Sequence, residues 1–207
     1  MVSILTGDIV NSSKLTKEQL TTVLKKLEQF LEVQSKLHPN MEFEFFRGDS
    51  VQIKLNDPQS SLTLAAQIRI FVLSLESDIR ISIGLGNINE PSDRLNTSTG
   101  QAFVFSGHSL DNMKTKSRFV FKSASTTLDS DIAVATESIT AIINSWTLNR
   151  TKTVLYMILG TSREEVCKKF NIKNATLSKT LSSANYSTLK MILEWAENKI
   201  NSYLNVC

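Results

Sequence analysis

Apolar positions follow two different periods along this chain, and the switches between them divide it into elements. Residues 2–8 run V-S-I-L-T-G-D, an apolar stretch that stops at Asp8 and leads into the polar turn Asn11-Ser12-Ser13. From Thr16 the period lengthens. Thr16 with Gln19 has the capping-box pattern, and Leu20, Val23, Leu24, Leu27, Phe30 and Leu31 recur at helical spacing until His38-Pro39-Asn40 ends the helix. Residues 41–55 return to a period of two. Phe43 and Phe45 alternate with Glu42 and Glu44, and Val51, Ile53 and Leu55 alternate with Gln52 and Lys54. Arg47-Gly48-Asp49-Ser50 stands between the two runs, and alternation on both sides of a Gly-Asp pair predicts a β-hairpin. After a break at Asn56-Asp57-Pro58, Ser60 or Ser61 opens a second helix carrying Leu64, Ala65, Ile68, Phe71, Val72 and Leu75. Residues 79–86 read as a strand ending in Gly84 and Gly86, and 87–100 as a long surface loop. Residues 103–115 read as an irregular helix, 119–121 as a short strand and 132–146 as a helix.

Strand, helix, hairpin, helix, strand is the order of a split βαβ unit. It predicts an α+β, ferredoxin-like fold, an antiparallel sheet with helices on one face. In that topology the first strand lies beside the hairpin, so Asp8 and Asp49 meet at one sheet edge. Two acids there repel unless a positive charge separates them, and Mg²⁺ with a nucleotide phosphate meets that need, since Mg²⁺ takes one or two carboxylates plus phosphate oxygens. The plainer alternative is a turn: Gly supplies positive φ and Asp bonds its own backbone, and Asp8 before a polar turn is equally an Asx-turn residue.

The last 60 residues have their own pattern. Ser162-Arg163-Glu164-Glu165 is a capping box, and Val166 with Phe170 gives a short helix one buried edge. Asn171 stands where a turn needs a left-handed residue, Ile172 plugs the turn, Asn174 can cap the next helix, and Leu177 with Leu181 form its buried side. This is the spacing of a helix-turn-helix. It leaves Ala175, Thr176, Ser178, Lys179 and Ser182 on the outward face for DNA, with Arg163, Lys168, Lys169 and Lys173 in reach of phosphates. An ordinary helical hairpin closing a domain or a dimer is the alternative. Residues 187–204 form an amphipathic helix that covers the motif or pairs with another subunit.

Charge supports the division. Residues 1–146 carry 14 Lys and Arg against 16 Asp and Glu, net −2, whereas residues 147–207 carry 9 against 4, net +5. A mildly acidic body of 1–146 with a basic all-α tail of 147–207 points to a polyanion partner for the tail. At 41% hydrophobic and 21% charged the composition is that of a soluble globular protein, with no run long enough to span a membrane and no signal peptide. The two cysteines, Cys167 and Cys207, have no metal-ligand spacing, so a reduced, cytoplasmic protein is expected.

Four short motifs occur in register: residues 6–12 (TGDIVNS), 48–52 (GDSVQ), 81–86 (ISIGLG) and 100–103 (GQAF). On these the chain resembles the SatD family, bacterial proteins with a class III nucleotidyl-cyclase-like domain and a C-terminal helix-turn-helix. The resemblance implies that Asp8 and Asp49 hold Mg²⁺ together with the backbone carbonyl of Ile9, and it implies a homodimer. Departures from the cyclase pattern are specific. Phe43 stands where a base-reading Lys is expected, and Phe105 and Ser109 stand where an Asn and an Arg would stabilise ribose and transition-state phosphate. Losing such a contact costs about 2.7–4 kcal/mol of transition-state stabilisation. Arg47 and Lys54 flank the hairpin and, with Asn11, are the candidates for nucleotide contact, while the lone His108 reads as a surface or capping residue. The expectation is a DNA-binding regulator whose front domain senses a nucleotide or dimerises. The alternative is an active metal-dependent nucleotidyl cyclase or nucleotidyltransferase regulated by its tail.

Overall fold

Alternation along the first strand organises the sheet. In β1 (Val2–Ile9), Leu5 and Ile9 join one apolar cluster while Ile4 joins another, so neighbouring residues face opposite sides. β1 pairs antiparallel with β3 (Ser50–Leu55) and with β4 (Ile79–Gly86). Strand β2 (Glu42–Phe46) adds beyond β3 and β5 (Phe119–Lys122) beyond β4, giving the order β2-β3-β1-β4-β5. The structure, a computed structural model, describes residues 1–46, 48–89 and 94–206. The hairpin expected at 41–55 is β2–β3. Phe46 faces Ser50, and Gly48, in the connection between them, takes the positive φ of +82° that a tight turn requires.

Two expectations about the sheet are corrected. It is not wholly antiparallel, because β5 runs parallel to β4. Parallel neighbours need a crossover of a dozen or more residues, which the segment 87–118 supplies. Nor do the helices keep to one face. α1 (Lys17–Leu37) and α2 (Ser61–Ser74) bury the face bearing Leu5, Ile53, Ile81 and Ile83. α3 (Gln101–Asp111), inside the crossover, packs on the opposite face against β1 and β4. Gly84 makes that approach possible: a Cβ there would lie 2.1 Å from the Ala102 carbonyl oxygen and 2.6 Å from the Ser106 nitrogen. The Thr6 and Ser106 hydroxyls are 2.7 Å apart, and the Ser82 hydroxyl donates to the Ser106 carbonyl, so the helix is pinned by polar contacts as well as by shape.

Local signals explain most helix boundaries. The Thr16 capping box is complete: the Thr16 hydroxyl accepts from the Gln19 N–H at 3.2 Å, and the Gln19 side chain accepts from the Thr16 N–H at 2.9 Å. α4 (Thr126–Asn144) starts earlier than its apolar period suggests, because the Ser125 hydroxyl caps it by accepting from the Leu128 N–H. α5 (Leu148–Ile158), absent from the sequence reading, is capped by Thr147 and buries Val154 and Leu155. It is followed by α6 (Arg163–Phe170), α7 (Asn174–Ser183) and α8 (Tyr186–Leu204).

Both ends of the basic tail join the body. Leu189, Leu193, Ala196 and Ile200 of α8 belong to the same apolar cluster as the sheet, and α8 packs on α4, α2 and the turn at Pro58–Ser60. Each fully buried Leu or Ile contributes about 1.5–3 kcal/mol. The Thr63 hydroxyl donates to Glu197 at 2.5 Å across that contact, and α5 packs on α2. Helices α6 and α7 close a smaller cluster of Val154, Val166, Leu177, Leu181 and Ala184. Trp146 Nε1 donates to the Ala184 carbonyl (3.0 Å) and the Tyr186 hydroxyl to the Met157 carbonyl (3.0 Å), fixing this cluster to the rest.

One buried charge network anchors the start of β4. Arg69 on α2 is 1% exposed; its Nε and Nη2 donate to the two oxygens of Asp78 at 2.9 and 3.2 Å, and Nη2 also reaches Asn144 Oδ1 at 2.6 Å. Arg118 Nε (2.7 Å) and the Ile79 N–H (2.9 Å) complete the shell around Asp78. Burial alone would raise the Asp78 pKa, but hydrogen bonds and charge from Arg69 and Arg118 outweigh it and hold the carboxyl below its ordinary value.

Candidate functional site

The strand register brings the two expected acids together at one end of the sheet, Asp8 on its central strand. Asp8 lies opposite Ser50 in the β1–β3 register, and the Ile9 N–H donates to the Asp49 carbonyl at 3.2 Å, so the hairpin tip sits against the end of the first strand. Antiparallel pairing also sets Arg80 of β4 directly across from Asp8. The guanidinium grips the carboxylate with both arms: Nε to Oδ1 at 2.6 Å and Nη2 to Oδ2 at 2.7 Å, a short, charge-assisted, bidentate pair. Asp49 has other partners. Its Oδ2 accepts from the Ser12 hydroxyl at 2.5 Å and its Oδ1 from the Ser50 hydroxyl at 3.2 Å.

Arg80 therefore faces more than one acid. Its pKa is held above the ordinary arginine value, first by the hydrogen bonds to Asp8, with burial opposing, and then by the charges of Asp8, Asp111 and Asp49. Beside the pair lies a cleft of about 460 Å³ lined by Thr6, Asp8, Phe46, Gln52, Leu110 and Asp111.

This geometry bears on the expected ligand set of Asp8, Ile9 and Asp49. Mg²⁺ demands near-octahedral oxygen ligands at about 2.0–2.1 Å. Here every carboxylate oxygen of the two acids already accepts a hydrogen bond, and Asp8 spends both on a cation of the chain's own. Among the described residues no three His, Cys, Asp or Glu side chains are arranged to hold a metal. The residues as placed do not fit the ion.

The nucleotide candidates fare differently from one another. Lys54 is bound to Glu42 across the hairpin at 2.6 Å, and it lies four residues along β3 from Ser50, about 13 Å from the acid pair at strand rise. It is thus removed from the acid edge. Asn11 takes a left-handed φ of 56° and its carbonyl accepts from the Lys14 N–H, which is a turn role. Arg47 lies outside the described residues. Phe43 packs against the core cluster, and Phe105 and Ser109 line a groove with His108 and Val120 on the outer side of α3. His108 itself is exposed near the end of that helix.

The tail keeps most of its expected geometry. The Ser162 capping box is complete, and it lowers the Glu165 pKa through hydrogen bonds from Ser162. Asn171 adopts φ 49°, ψ 48°, the left-handed turn expected of it, and Ile172 packs into the small cluster. Leu177 and Leu181 are buried, whereas Ala175, Thr176, Ser178, Lys179 and Ser182 are all exposed on the far side of α7. Lys168 and Lys173 are exposed beside them.

Two details of the tail differ from expectation. Lys173, not Asn174, occupies the N-cap position of α7. Asn174 instead accepts two hydrogen bonds from Arg163, from Nε at 3.0 Å and Nη2 at 2.7 Å, and Arg163 Nη2 also donates to Ser178 Oγ at 2.6 Å. Lys169 turns the other way. Its Nζ lies 4.6 Å from the ring centre of Tyr156 on α5, a cation–π contact that takes it off the outward face.

Sequence reasoning missed Arg80, the residue that decides the acid site. The I-R-I-S-I-G run does place Arg80, Ser82 and Gly84 on the face away from the core, but only the strand register identifies Asp8 as the partner.

The sequence matches no protein-family model, and it matches no curated protein. Among solved structures the chain is similar to the guanylyl cyclase Cya2, at 14% identity over 58% of this chain and 73% of that one, with a TM-score of 0.41. It is also similar to a bacterial light-regulated adenylyl cyclase, at 13% identity over 58% of this chain and 74% of that one, with a TM-score of 0.37.

Proposed function

We propose that the protein is a cytoplasmic DNA-binding regulator that acts as a homodimer, with α6 and α7 as its helix-turn-helix and the sheet domain as a sensing or pairing platform. One observation carries the reading: α7 follows a tight left-handed turn and presents an exposed face of Ala175, Thr176, Ser178 and Ser182, with Lys179 among them and further cations beside it. A face of Ala, Thr and Ser lets a helix enter a major groove closely, where hydroxyls and the Thr methyl group meet base edges. Lys168, Lys173 and Lys179 are then the phosphate contacts. Arg163, braced on Asn174 and Ser178, adds a second long donor beside the base-reading face.

Fluorescence anisotropy on a labelled duplex at several salt concentrations tests this. The expected slope of log affinity against log salt falls by about 0.9 for each of Lys173→Ala and Lys179→Ala. Binding that ignores both substitutions, or no binding at low salt, overturns the reading.

A second reading, a metal-dependent nucleotidyl cyclase, draws on the convergence of Asp8 and Asp49. Phe43, Phe105 and Ser109 oppose it by leaving base, ribose and phosphate without polar partners. Turnover of any nucleoside triphosphate with Mg²⁺ or Mn²⁺, abolished by Asp8→Ala and by Asp49→Ala, would establish it.

A further inference from the structure

Among the described residues Arg80 is the cation at the acid edge, and three carboxylates from three different elements act on it: Asp8 from β1, Asp49 from the hairpin tip and Asp111 from the end of α3. The Arg80–Asp8 pair is made by cross-strand neighbours, so the fork reaches the carboxylate without loop ordering or backbone adjustment. The pair is also partly shielded, with side-chain exposures of 32% and 21%, which strengthens it over a fully solvated one. A divalent ion at Asp8 would have to displace a competitor attached to the same sheet, whose effective concentration is set by geometry and not by the solution. Ser12 and Ser50 meanwhile direct hydrogen-bond donors at both oxygens of Asp49.

We infer that Arg80 is the resident cation of this acid edge: it keeps divalent metal off Asp8 and Asp49 in the native protein, and its removal uncovers a metal site. The acid edge is then a structural contact between strand, hairpin and α3 that holds without metal.

Mn²⁺ titration into the full-length protein, read by loss of the free-ion electron paramagnetic resonance signal, tests the assignment. Wild type is expected to hold no stoichiometric Mn²⁺. Arg80→Gln removes the charge and the fork, and is expected to gain a site roughly tenfold or more tighter than any in wild type. Arg80→Gln/Asp8→Asn should lose that site again. Thermal melts give an independent readout: Mn²⁺ and chelator leave wild type unchanged, while Mn²⁺ raises the midpoint of Arg80→Gln. A stoichiometric Mn²⁺ in wild type that Asp8→Asn abolishes overturns the inference, as does a folded Arg80→Gln that gains no site. Should Arg80→Gln fail to fold alone, recovery of its native melt on refolding with Mn²⁺ supports the inference, and no recovery overturns it.

Discussion

Replacing Asp78 by alanine removes four hydrogen bonds at once, three of them from guanidinium groups. Arg118 is 19% exposed and can turn toward water, but the Arg69 side chain is 2% exposed and has nowhere to go. After the substitution Arg69 keeps Asn144 Oδ1, while its Nη1, already without a hydrogen-bond partner, stays so. Removing one partner of a buried pair costs about 3–5 kcal/mol, because the charge left behind is uncompensated. Against a total stability of about 5–15 kcal/mol that is a large fraction. For a chain of this size it corresponds to roughly 6–20 °C in melting temperature. Urea unfolding followed by circular dichroism measures the loss. Arg69→Met/Asp78→Ala is the informative companion, since deleting the stranded charge should return part of the stability. A loss below about 1 kcal/mol for Asp78→Ala, or a double variant no better than the single one, would refute the reasoning. The pH dependence follows with a definite sign. Asp78 has a folded pKa below its unfolded value of about 3.9, so its contribution is complete above that value and disappears as pH falls through the folded pKa. Asp78→Ala should therefore lose less stability than wild type on acidification below about pH 4.

Other substitutions probe separate parts of the molecule. Gly84→Ala puts a methyl group onto the α3 backbone and should cost about 1–3 kcal/mol or more, measured by urea midpoint; a neutral result would mean that α3 does not lie on β4 as described. Ser162→Ala removes a complete capping box and should cost about 0.5–2 kcal/mol, with unfolding monitored by Trp146 fluorescence, because Trp146 is tied to the α6–α7 cluster. Arg163→Ala should weaken duplex binding by more than its share of the salt slope, because Asn174 and Ser178 lose their brace; a change confined to about 0.9 in slope would reduce Arg163 to a simple phosphate contact.

Where local chemistry fixes structure, the sequence was readable. Alternation around Gly48-Asp49 located the hairpin, the Thr16 and Ser162 capping boxes located two helix starts, and Asn171 located the turn before α7. Where structure depends on pairing between distant segments, it was not. Gly84 and Gly86 looked like the end of a strand, whereas Gly84 is the seat of a helix that arrives from the other side of the sheet. Arg80 was visible as a charge on a strand, but its partner lies 72 residues away in the chain. The Lys54–Glu42 pair falls between these cases, because the antiparallel β2–β3 register places the two directly across from one another. α5 escaped notice because its buried face includes Thr151 and Thr153, which break the apolar period a reader looks for.

The path of α8 back into the sheet's core has a consequence for the tail it leaves. Helices α6 and α7 are not carried on a tether; the chain enters them from α5, which rests on α2, and leaves them by a helix whose Leu189, Leu193 and Ile200 join the body's apolar cluster, with α8 packed on α2 and α4. The exposed face of α7 is therefore aimed by the body of the molecule, as a pointer is by its mount. Two chains joined through their bodies would hold two such faces at one separation and one angle, so that the distance between half-sites would be dictated by the pairing surface rather than by a linker.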